Sequence, residues 1–396
     1  MDNIVIIGAG ECGVRAAFAL REEGFSGRIT LVGEEPHLPY ERPPLSKNCP
    51  VAVKLIAEES RYQDAGIELL LGRHVERIDR GDRSVHISGG ERRPYDKLLI
   101  ATGARARCFA GMEAALTLRN LDDARLILDA LRPGLRLAII GGGFIGLELA
   151  ATARKLGVEV TVIEAADHLM ARIVPGEIAA VVLKRHQAEG VKIIVGAGVT
   201  TVREKAVRLF DDRVVETDLV VAGVGAEPET RLAATAGLAI ANGIMVNERF
   251  ATSDPDIFAA GDCCCFPFGG ERVRLESWRA AQDQGEHAAR AMLGKAASYA
   301  RVPWFWSDQY DLTLQVTGLP RQGLPHIRRN LSDDAFVLFQ LDQSGRIVSA
   351  SGIGQGNAVA KEIKLAEMMI EREFRPPAGE LGDPAVNLKA ILKASS

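Results

Sequence analysis

The sequence predicts an α/β fold in which a unit of strand, glycine-rich turn and helix occurs twice and is followed by a C-terminal α+β domain. The pattern Gly-x-Gly-x-x-Gly follows an apolar run at Gly8 and again at Gly141, and each helix pattern leads to a second apolar run that ends in glutamate. Glycine is also frequent, with 40 in 396 residues, about 10% against a usual 7% or so. We therefore predict two Rossmann-like dinucleotide-binding domains in a chain long enough for two or three domains.

The first unit begins with an apolar strand that ends at Ile7 and is followed by three glycines. Gly8 permits a tight turn, Gly10 lets the backbone approach a pyrophosphate, and Gly13 lets the helix pack close to the strand. The N-terminus of the helix then presents free N–H groups to the phosphates. Glu34 ends the second strand, where its carboxylate is placed to accept hydrogen bonds from ribose hydroxyls.

The second unit repeats this order with a strand at residues 135–140 and with Gly141, Gly143 and Gly146 in the turn. Glu164 closes its second strand, so a structural turn alone does not explain both units. Two such sites indicate two dinucleotides, and a flavin with a nicotinamide would make a flavin-dependent oxidoreductase. Glu164 favours NADH, because the 2′-phosphate of NADPH would meet a carboxylate.

Composition and charge exclude several classes of protein. With 48 basic and 52 acidic residues the net charge is −4, which argues against a nucleic-acid partner, and no apolar run approaches the roughly 18 residues of a membrane span. The six cysteines form no Cys-x-x-Cys pair and no Cys/His set has zinc-ligand spacing, so no metal site is predicted. The seven histidines are interpreted as structural or surface residues, and the cysteine run 263–265 as small buried side chains. The N-terminus lacks a signal-peptide pattern, so a cytoplasmic location is expected.

Further short strings of residues lie outside the two turns. They are Ala-Thr-Gly-Ala at 101–104, Phe-Ala-Ala-Gly-Asp at 258–262, Arg-Pro-Pro-Leu-Ser-Lys at 42–47, Trp-Phe-Trp-Ser-Asp-Gln at 304–309, and Asp-Pro-Ala-Val-Asn-Leu-Lys at 383–389. With these strings the chain resembles two-dinucleotide flavoproteins of the glutathione reductase type. Within that group it is similar to the FAD-dependent NADH:ferredoxin reductases of the putidaredoxin reductase type, which serve Rieske oxygenases and cytochromes P450.

The resemblance implies which residues bind FAD. The first glycine turn with Glu34 would hold the pyrophosphate and ribose, Arg42 the phosphate side, and Asp262 the ribityl chain. Further residues would border the cofactors, namely Ala101, Thr102, Gly103, Trp278 and Trp306 at FAD and Gly225 in the NADH domain. Because Trp304 and Trp306 alternate along a predicted strand, one of the two is also explained as ordinary core.

The resemblance also implies a pair of residues at the reacting end of the flavin. Lys47 would lie near N5 and Glu148, in the helix after the second turn, would face it. Such a pair would orient the site and balance charge as hydride arrives. The alternatives are that Lys47 is a solvated surface lysine and that Glu148 is an ordinary exposed helix residue.

Disulfide reductases of this fold carry a Cys-x4-Cys motif, and NADH oxidases a single cysteine, where this chain has residues 42–47 with no thiol. Electrons leaving the flavin should therefore go to an external one-electron acceptor. The resemblance implies an acidic [2Fe–2S] ferredoxin, which would dock on a basic patch. Candidate arginines for that patch are Arg105, Arg107, Arg301, Arg321, Arg328 and Arg329.

Other functions remain open at this stage. The enzyme alternatives are an NADH oxidase or quinone-type reductase, which passes electrons to oxygen or a small molecule, and a rubredoxin reductase. The non-enzyme alternative is a flavin-binding partner protein that responds to NADH. The chain is expected to be a monomer or a homodimer.

The predicted domain order follows from the positions of the two units. Residues 1–109 and 238–308 would form a discontinuous FAD-binding domain, and residues 110–237 an inserted NADH-binding domain. Residues 309–396, with three strands and a helix, would form a C-terminal α+β interface domain.

Overall fold

The computed structural model describes residues 1–394. The helices are α1 (Glu11–Glu22), α2 (Glu59–Asp64), α3 (Leu121–Ala130), α4 (Phe144–Lys155), α5 (Gly176–Ala188), α6 (Arg231–Thr235), α7 (Trp278–Met292), α8 (Ala360–Glu371), α9 (Ala378–Gly382) and α10 (Leu388–Ala394), with a 3-10 turn at Pro43–Ser46.

The strands up to residue 140 are β1 (Asn3–Ile7), β2 (Arg28–Val32), β3 (Ile67–Leu70), β4 (Val75–Asp79), β5 (Ser84–Ile87), β6 (Glu91–Pro94), β7 (Lys97–Ile100), β8 (Ala104–Ala106), β9 (Leu116–Thr117) and β10 (Arg136–Ile140). Those up to residue 245 are β11 (Glu159–Ile163), β12 (Lys192–Ile194), β13 (Val199–Arg203), β14 (Ala206–Leu209), β15 (Val214–Glu216), β16 (Leu219–Ala222), β17 (Ala226–Pro228), β18 (Ile240–Ala241) and β19 (Gly243–Met245). The last are β20 (Ile257–Ala259), β21 (Cys264–Phe268), β22 (Glu271–Val273), β23 (Trp304–Gln309), β24 (Leu312–Gly318), β25 (His326–Ser332), β26 (Ala335–Leu341) and β27 (Ile347–Gln355).

The chain divides into two compact units, and neither is a single stretch of sequence. Unit 1 comprises residues 1–43, 53–105 and 226–301. Unit 2 comprises residues 44–52, 106–225 and 302 onward.

The main sheet of unit 1 has five parallel strands in the order β20-β7-β1-β2-β3. Its central strands are apolar along their length, as expected of a parallel sheet that is covered on both faces, and Ile4 and Leu99 are fully buried. Helix α7 packs on α1 so closely that a Cβ on Gly285 would lie 2.4 Å from the carbonyl oxygen of Cys12. Unit 1 also contains an antiparallel sheet of β4, β5 and β6 and a mixed sheet of β18, β19, β21 and β22.

Unit 2 contains a second five-stranded parallel sheet, in the order β12-β11-β10-β16-β9. Strands β10, β11, β12 and β16 occupy the positions that β1, β2, β3 and β7 occupy in unit 1. The two sheets therefore share one strand order, which confirms the predicted pair of Rossmann-like folds.

The C-terminal part of unit 2 is an antiparallel sheet in the order β23-β24-β27-β26-β25, against which α8 packs. The contact is close, since a Cβ on Gly352 of β27 would lie 3.0 Å from Cβ of Val359, just before α8. Ile363, Ala366 and Met369 of α8 are buried in this core. The predicted α+β character is confirmed.

The domain boundaries stay predictions, and the last two residues of the range 309–396 lie outside the described residues. Over residues 1–394, no helix combines the length and apolar character needed to cross a membrane.

Candidate functional site

The first glycine turn is built by close backbone contacts at the carboxyl end of β1. Gly8 has a φ of +108°, and a Cβ there would lie 2.2 Å from the carbonyl oxygen of Ala101. A Cβ on Gly13 would lie 1.9 Å from the carbonyl oxygen of Gly8. At Gly10, which caps α1, no atom lies within 4 Å of the Cβ position. The turn is thus closed towards the sheet and open beside the helix N-terminus, which fits a bound pyrophosphate.

The residues after β7 adjoin this turn because β7 is the neighbour of β1 in the parallel sheet. The backbone N–H of Ala101 donates to the carbonyl of Ile7 at 2.8 Å. The hydroxyl of Thr102 donates to the carbonyl of Glu229 at 2.7 Å, and Gly103 turns the chain with a φ of +68°. The three predicted residues therefore form one edge of the turn region in unit 1.

Asp262 is brought to the same edge of the sheet by β20. Gly261, with a φ of +82°, lies two residues after this strand, and its N–H donates to Oε1 of the buried Gln284 at 2.8 Å. Asp262 follows as a half-buried residue. The carboxyl ends of β1, β7 and β20 thus place Gly8, Ala101 and Asp262 on one side of unit 1, the side on which parallel sheets bind ligands.

Glu34 and Arg42 lie beyond the carboxyl end of β2. Glu34 is exposed directly after this strand. The Nη2 of Arg42 donates to Oε1 of Glu35 at 2.7 Å, and its guanidinium lies 5.6 Å from the ring centroid of Tyr40. The structure thus pairs Arg42 with a carboxylate that the sequence reasoning did not consider.

Glu11, the first residue of α1, has a role that sequence reasoning missed. The Nε1 of Trp278 donates to its Oε2 at 3.0 Å, and the Nε2 of Gln282 donates to its Oε1 at 2.7 Å. Burial raises the pKa of the Glu11 carboxyl, against the effect of these two donors. The two donors lie one turn apart on α7, so they join the beginning of α7 to the beginning of α1. Their i, i+4 spacing was the available signal.

The second glycine turn, in unit 2, repeats the geometry of the first. Gly141 has a φ of +104°, and a Cβ there would lie 2.4 Å from the carbonyl oxygen of Gly223. A Cβ on Gly146 would lie 2.5 Å from the carbonyl oxygen of Gly141, whereas at Gly143 the nearest atom is 4.0 Å away. This turn too is closed towards its sheet and open at the N-terminus of α4.

Glu164 is directed at this second turn. Its Oε2 accepts from the N–H of Gly142 at 2.6 Å, and its Oε1 accepts from the N–H of Ala166 at 2.8 Å. A carboxylate oxygen has further lone pairs, so both oxygens can also accept from ribose hydroxyls. Gly225, with a φ of +107°, follows β16, and its Cβ position lies 3.6 Å from the guanidinium of Arg172.

Lys47 and Glu148 meet in unit 2, together with a carboxylate that was not predicted. The Nζ of Lys47 lies 3.6 Å from Oε1 of Glu148 and 2.9 Å from Oδ2 of Asp308. The same Nζ lies 5.6 Å from the ring centroid of Trp306, which stacks on Trp304 at 5.3 Å. Neither alternative for the pair holds, because the Lys47 side chain is only 23% exposed and that of Glu148 only 10%.

The Glu148 carboxylate is enclosed and accepts hydrogen bonds on both oxygens. The hydroxyl of Ser46 donates to Oε2 at 2.6 Å and that of Ser307 to Oε1 at 2.7 Å. Burial raises the pKa of Glu148, while Lys47 and the two hydroxyls oppose this effect. The site therefore holds a buried carboxylate beside a lysine and an aromatic ring.

One part of the predicted docking patch is wrong. Arg329 is 3% exposed, and its guanidinium donates to backbone carbonyls at the end of α9 and just after it, at Leu381, Asp383, Pro384 and Val386. It holds this segment in place and is not available to a partner. Arg328 is exposed, pairs with Glu177 and lies over the ring of Phe336.

The comparisons with known proteins agree with this architecture. The chain matches the pyridine nucleotide-disulphide oxidoreductase family over residues 2–285 and the reductase C-terminal family over residues 304–392. It is 39% identical to the 3-phenylpropionate/cinnamic acid dioxygenase ferredoxin–NAD(+) reductase component of Photorhabdus laumondii, over 92% of this chain and 96% of that protein.

Two solved structures are similar over nearly their whole length. The covalent complex of putidaredoxin reductase with putidaredoxin has a TM-score of 0.93 and 35% identity, covering 99% of this chain and 98% of that chain. The ferredoxin reductase for the CYP199A2 system of Rhodopseudomonas palustris has a TM-score of 0.93 and 35% identity, covering all of both chains.

Two dinucleotide turns of one geometry define an oxidoreductase that works with two dinucleotide cofactors, FAD and NAD(H). The chain belongs to the pyridine nucleotide-disulphide oxidoreductase family, in the branch of the ferredoxin–NAD(+) reductases. The predicted family, fold class and cofactors are thereby confirmed.

Proposed function

We propose that this protein transfers hydride from NADH to FAD and passes single electrons to a [2Fe–2S] ferredoxin that feeds a Rieske oxygenase or a cytochrome P450. The observation that carries the proposal is the pair of glycine turns, one in each unit, in a chain of the ferredoxin–NAD(+) reductase branch. FAD supplies the conversion of a two-electron donor into one-electron steps.

The residues of unit 1 would hold FAD. The N-terminus of α1 and the backbone beside Gly10 would bind the pyrophosphate, and Glu34 would accept from the adenosine ribose. Asp262 would accept from the ribityl chain, and Arg42 would reach the phosphate side from its pair with Glu35. Ala101, Thr102, Gly103 and Trp278 would border the cofactor.

The residues of unit 2 would hold NADH in the same way. The N-terminus of α4 beside Gly143 would bind the pyrophosphate, and Glu164 would accept from the ribose hydroxyls. Since Glu164 is fixed by two backbone N–H groups, a 2′-phosphate would meet a held carboxylate. We therefore propose that NADH is preferred to NADPH.

Lys47 and Glu148 are proposed to serve the flavin ring, with Trp306 beside it. A lysine ammonium near N5 would balance negative charge as hydride arrives, and Glu148 would fix the position of that ammonium. The stacked Trp304 would support Trp306. This assignment follows the family resemblance and the contacts among these residues within unit 2.

The proposed partner is an acidic [2Fe–2S] ferredoxin, which fits relatives named as ferredoxin reductase components. All six cysteines are free, as is usual in a reducing compartment where NADH is available, so we propose a cytoplasmic location. The oligomeric state, a monomer or a homodimer, stays a prediction. Sedimentation with and without NADH would test it.

The test is stopped-flow reduction of the purified flavoprotein by NADH and by NADPH, followed by mixing with putidaredoxin as a [2Fe–2S] probe. We expect rapid bleaching of the flavin by NADH, slower bleaching by NADPH, and reoxidation by the ferredoxin in one-electron steps. Lys47→Ala should slow reduction by NADH. Unchanged kinetics in this variant would show that the role given to Lys47 is wrong.

The alternatives predict other outcomes of the same experiment. Fast turnover with oxygen or a quinone alone would indicate an oxidase or a small-molecule reductase, and preference for rubredoxin over the ferredoxin would indicate a rubredoxin reductase. Slow transfer to every acceptor, with a change of sedimentation on adding NADH, would indicate the flavin-binding partner protein.

A further inference from the structure

A chain of buried polar side chains leads from Glu148 into the interior of unit 2. The hydroxyl of Ser307 donates to Oε1 of Glu148 at 2.7 Å, and the Nε2 of Gln309 donates to Oγ of Ser307 at 2.9 Å. The Oε1 of Gln309 then lies 3.0 Å from Nε2 of His186. Ser307, Gln309 and His186 are at most 1% exposed. None of these three is among the residues proposed to bind FAD or NADH.

Each link of this chain has one direction. Ser307 has a single hydroxyl proton, and because its oxygen already accepts from Gln309, that proton is directed at Glu148. The Oε1 of Gln309 can only accept, so His186 must carry its proton on Nε2. All the donors therefore point towards the Glu148 carboxylate.

His186 is suited to end such a chain. It lies near the end of α5, and its ring packs edge-to-face on Tyr310 at a centroid distance of 5.0 Å. Burial lowers its pKa, which keeps the ring neutral. Its Nδ1 is buried and has no hydrogen-bond partner within residues 1–394, so the one polar contact of the ring is that with Gln309.

We propose that Ser307, Gln309 and His186 are positioning residues that hold the Glu148 carboxylate ionised and directed at Lys47. The inference rests on the proposed function, since it takes the pair of Lys47 and Glu148 to serve the flavin. It also explains the Ser-Asp-Gln end of the string at 304–309. Ser307 and Gln309 build the chain to His186, whereas Asp308 between them binds Lys47.

The electrostatics of Glu148 show why such donors matter. Burial raises its pKa, and the negative charge of Asp308 on β23 acts in the same direction. The charge of Lys47 and the hydroxyls of Ser46 and Ser307 act in the opposite direction. Removing the Ser307 hydroxyl takes away one of three stabilising contacts, so the neutral form of Glu148 should then persist to higher pH.

The first test compares Ser307→Ala with Ser307→Thr, which retains a hydroxyl. Infrared difference spectra of the flavoprotein over a pH series report the protonated carboxyl of Glu148, identified by its loss in Glu148→Gln. We expect the protonation midpoint to rise by about one pH unit in Ser307→Ala, a tenfold change in the equilibrium, and to stay near the wild-type value in Ser307→Thr.

A matched control comes from the same antiparallel sheet. Ser349 is 2% exposed and its hydroxyl donates to Gln340 at 2.8 Å, without any link to Glu148. Ser349→Ala removes a buried hydroxyl of the same kind, so the protonation midpoint of Glu148 in this variant should equal that of the wild type. Thermal unfolding verifies that each variant is folded, and Ser307→Cys, a weaker donor, replaces Ser307→Ala if that variant does not fold.

The second test acts at the far end of the chain. His186→Phe keeps an aromatic ring against Tyr310 but cannot donate to Gln309, so the amide of Gln309 is no longer fixed. We expect a midpoint shift of the same sign as in Ser307→Ala but smaller. In stopped-flow experiments the rate of flavin reduction by NADH should fall in both variants. The NADH concentration that gives half of the maximal rate should change little.

Two results separate this inference from the proposed function. If the protonation midpoint of Glu148 in Ser307→Ala or in His186→Phe equals that of the wild type, the positioning chain is overturned, even where NADH reduces the wild-type flavin. If the midpoints shift as expected but NADH does not reduce the wild-type flavin, the chain stands and the proposed function fails.

Discussion

The Nζ of Lys47 lies 2.9 Å from Oδ2 of Asp308. The buried Oε1 of Glu148 is further from the same ammonium, at 3.6 Å. Lys47 is therefore shared by one enclosed and one half-exposed carboxylate, and the half-exposed one makes the closer contact. Because two nearby negative charges disfavour each other, Asp308 contributes to the raised pKa of Glu148.

Asp308→Asn is expected to lower the pKa of Glu148, since it removes this like charge. The shift is opposite in sign to that of Ser307→Ala and is measured by the same infrared titration. Asp311→Asn is the matched control, because Asp311 lies in the turn between β23 and β24, where Arg185 binds it at 2.6 Å. A rise in the pKa of Glu148 in Asp308→Asn would contradict the shared-ammonium arrangement.

Gly8→Ala and Gly10→Ala should separate fold stability from cofactor binding. The first places a methyl group 2.2 Å from a backbone oxygen at a φ of +108°, which is expected to destabilise unit 1 by about 2–4 kcal/mol. The second meets no atom within 4 Å, so the melting temperature of the apoprotein should stay close to that of the wild type. The methyl group would nevertheless occupy the phosphate site, and FAD titration should show affinity reduced about tenfold or more. Equal FAD affinity in Gly10→Ala and wild type would exclude this turn as the pyrophosphate site.

Glu164→Ala is expected to raise KM for NADH about tenfold with kcat little changed, because a ribose hydroxyl loses its acceptor. Discrimination against NADPH should fall at the same time. Steady-state kinetics with both nucleotides measure the two effects. Glu34→Ala, the corresponding change in unit 1, should instead lower flavin content and leave KM for NADH unchanged. A raised KM in both variants would show that the two turns were assigned wrongly.

Arg329→Met is expected to destabilise the protein by about 3 kcal/mol, since the backbone carbonyls at the end of α9 and just after it lose the donors of this buried guanidinium. Arg328→Met changes an exposed arginine next to it on β25, and the cost there should be about 0.5 kcal/mol or less. Urea unfolding measures both. If Arg329→Met instead weakened ferredoxin binding at unchanged stability, this residue would belong to the docking surface after all.

Acid should weaken the fold through His186, whose pKa is lowered by burial. In the unfolded chain the residue takes up a proton near pH 6.5, whereas in the folded chain it does so only at lower pH. Between these two values the unfolded state binds more protons, so the free energy of unfolding falls as the pH falls through that window. Urea unfolding at about pH 7.5 and 5.5 should show a smaller drop for His186→Phe than for wild type. An equal drop would mean that His186 is not buried in its neutral form.

Much of the fold follows from local pattern. The strand predicted at 135–140 is observed as β10, shorter by one residue. This segment is apolar apart from Arg136 and has a glycine at each end, so sequence pattern and burial agree. The polar strands β4, β6 and β25 carry no such pattern, because most of their residues are exposed or only partly buried, and they were not predicted.

The candidate site also contains parts that are local in sequence and parts that depend on contacts between distant residues. Each glycine turn is local in sequence, and its need for glycine is visible in the spacing alone. The proposed role of Ser307, Gln309 and His186 becomes visible only in the folded structure, where β23 lies beside α4 and α5. The contacts between these elements join residues more than a hundred positions apart in the sequence. The burial of Arg329 could not be predicted for the same reason. It is a charged residue on a strand, and the sequence gave no sign that backbone carbonyls distant in sequence would enclose it.

The strand order of unit 1 has a consequence for synthesis of the chain. Strand β7 pairs on its outer side with β20, yet all of residues 106–225 are made between the two and belong to the other unit. A nascent polypeptide on the ribosome must therefore expose the edge of β7 while the sheet of unit 2 is being completed. An open strand edge is a site of wrong pairing, so the need for chaperones should be greatest midway through translation.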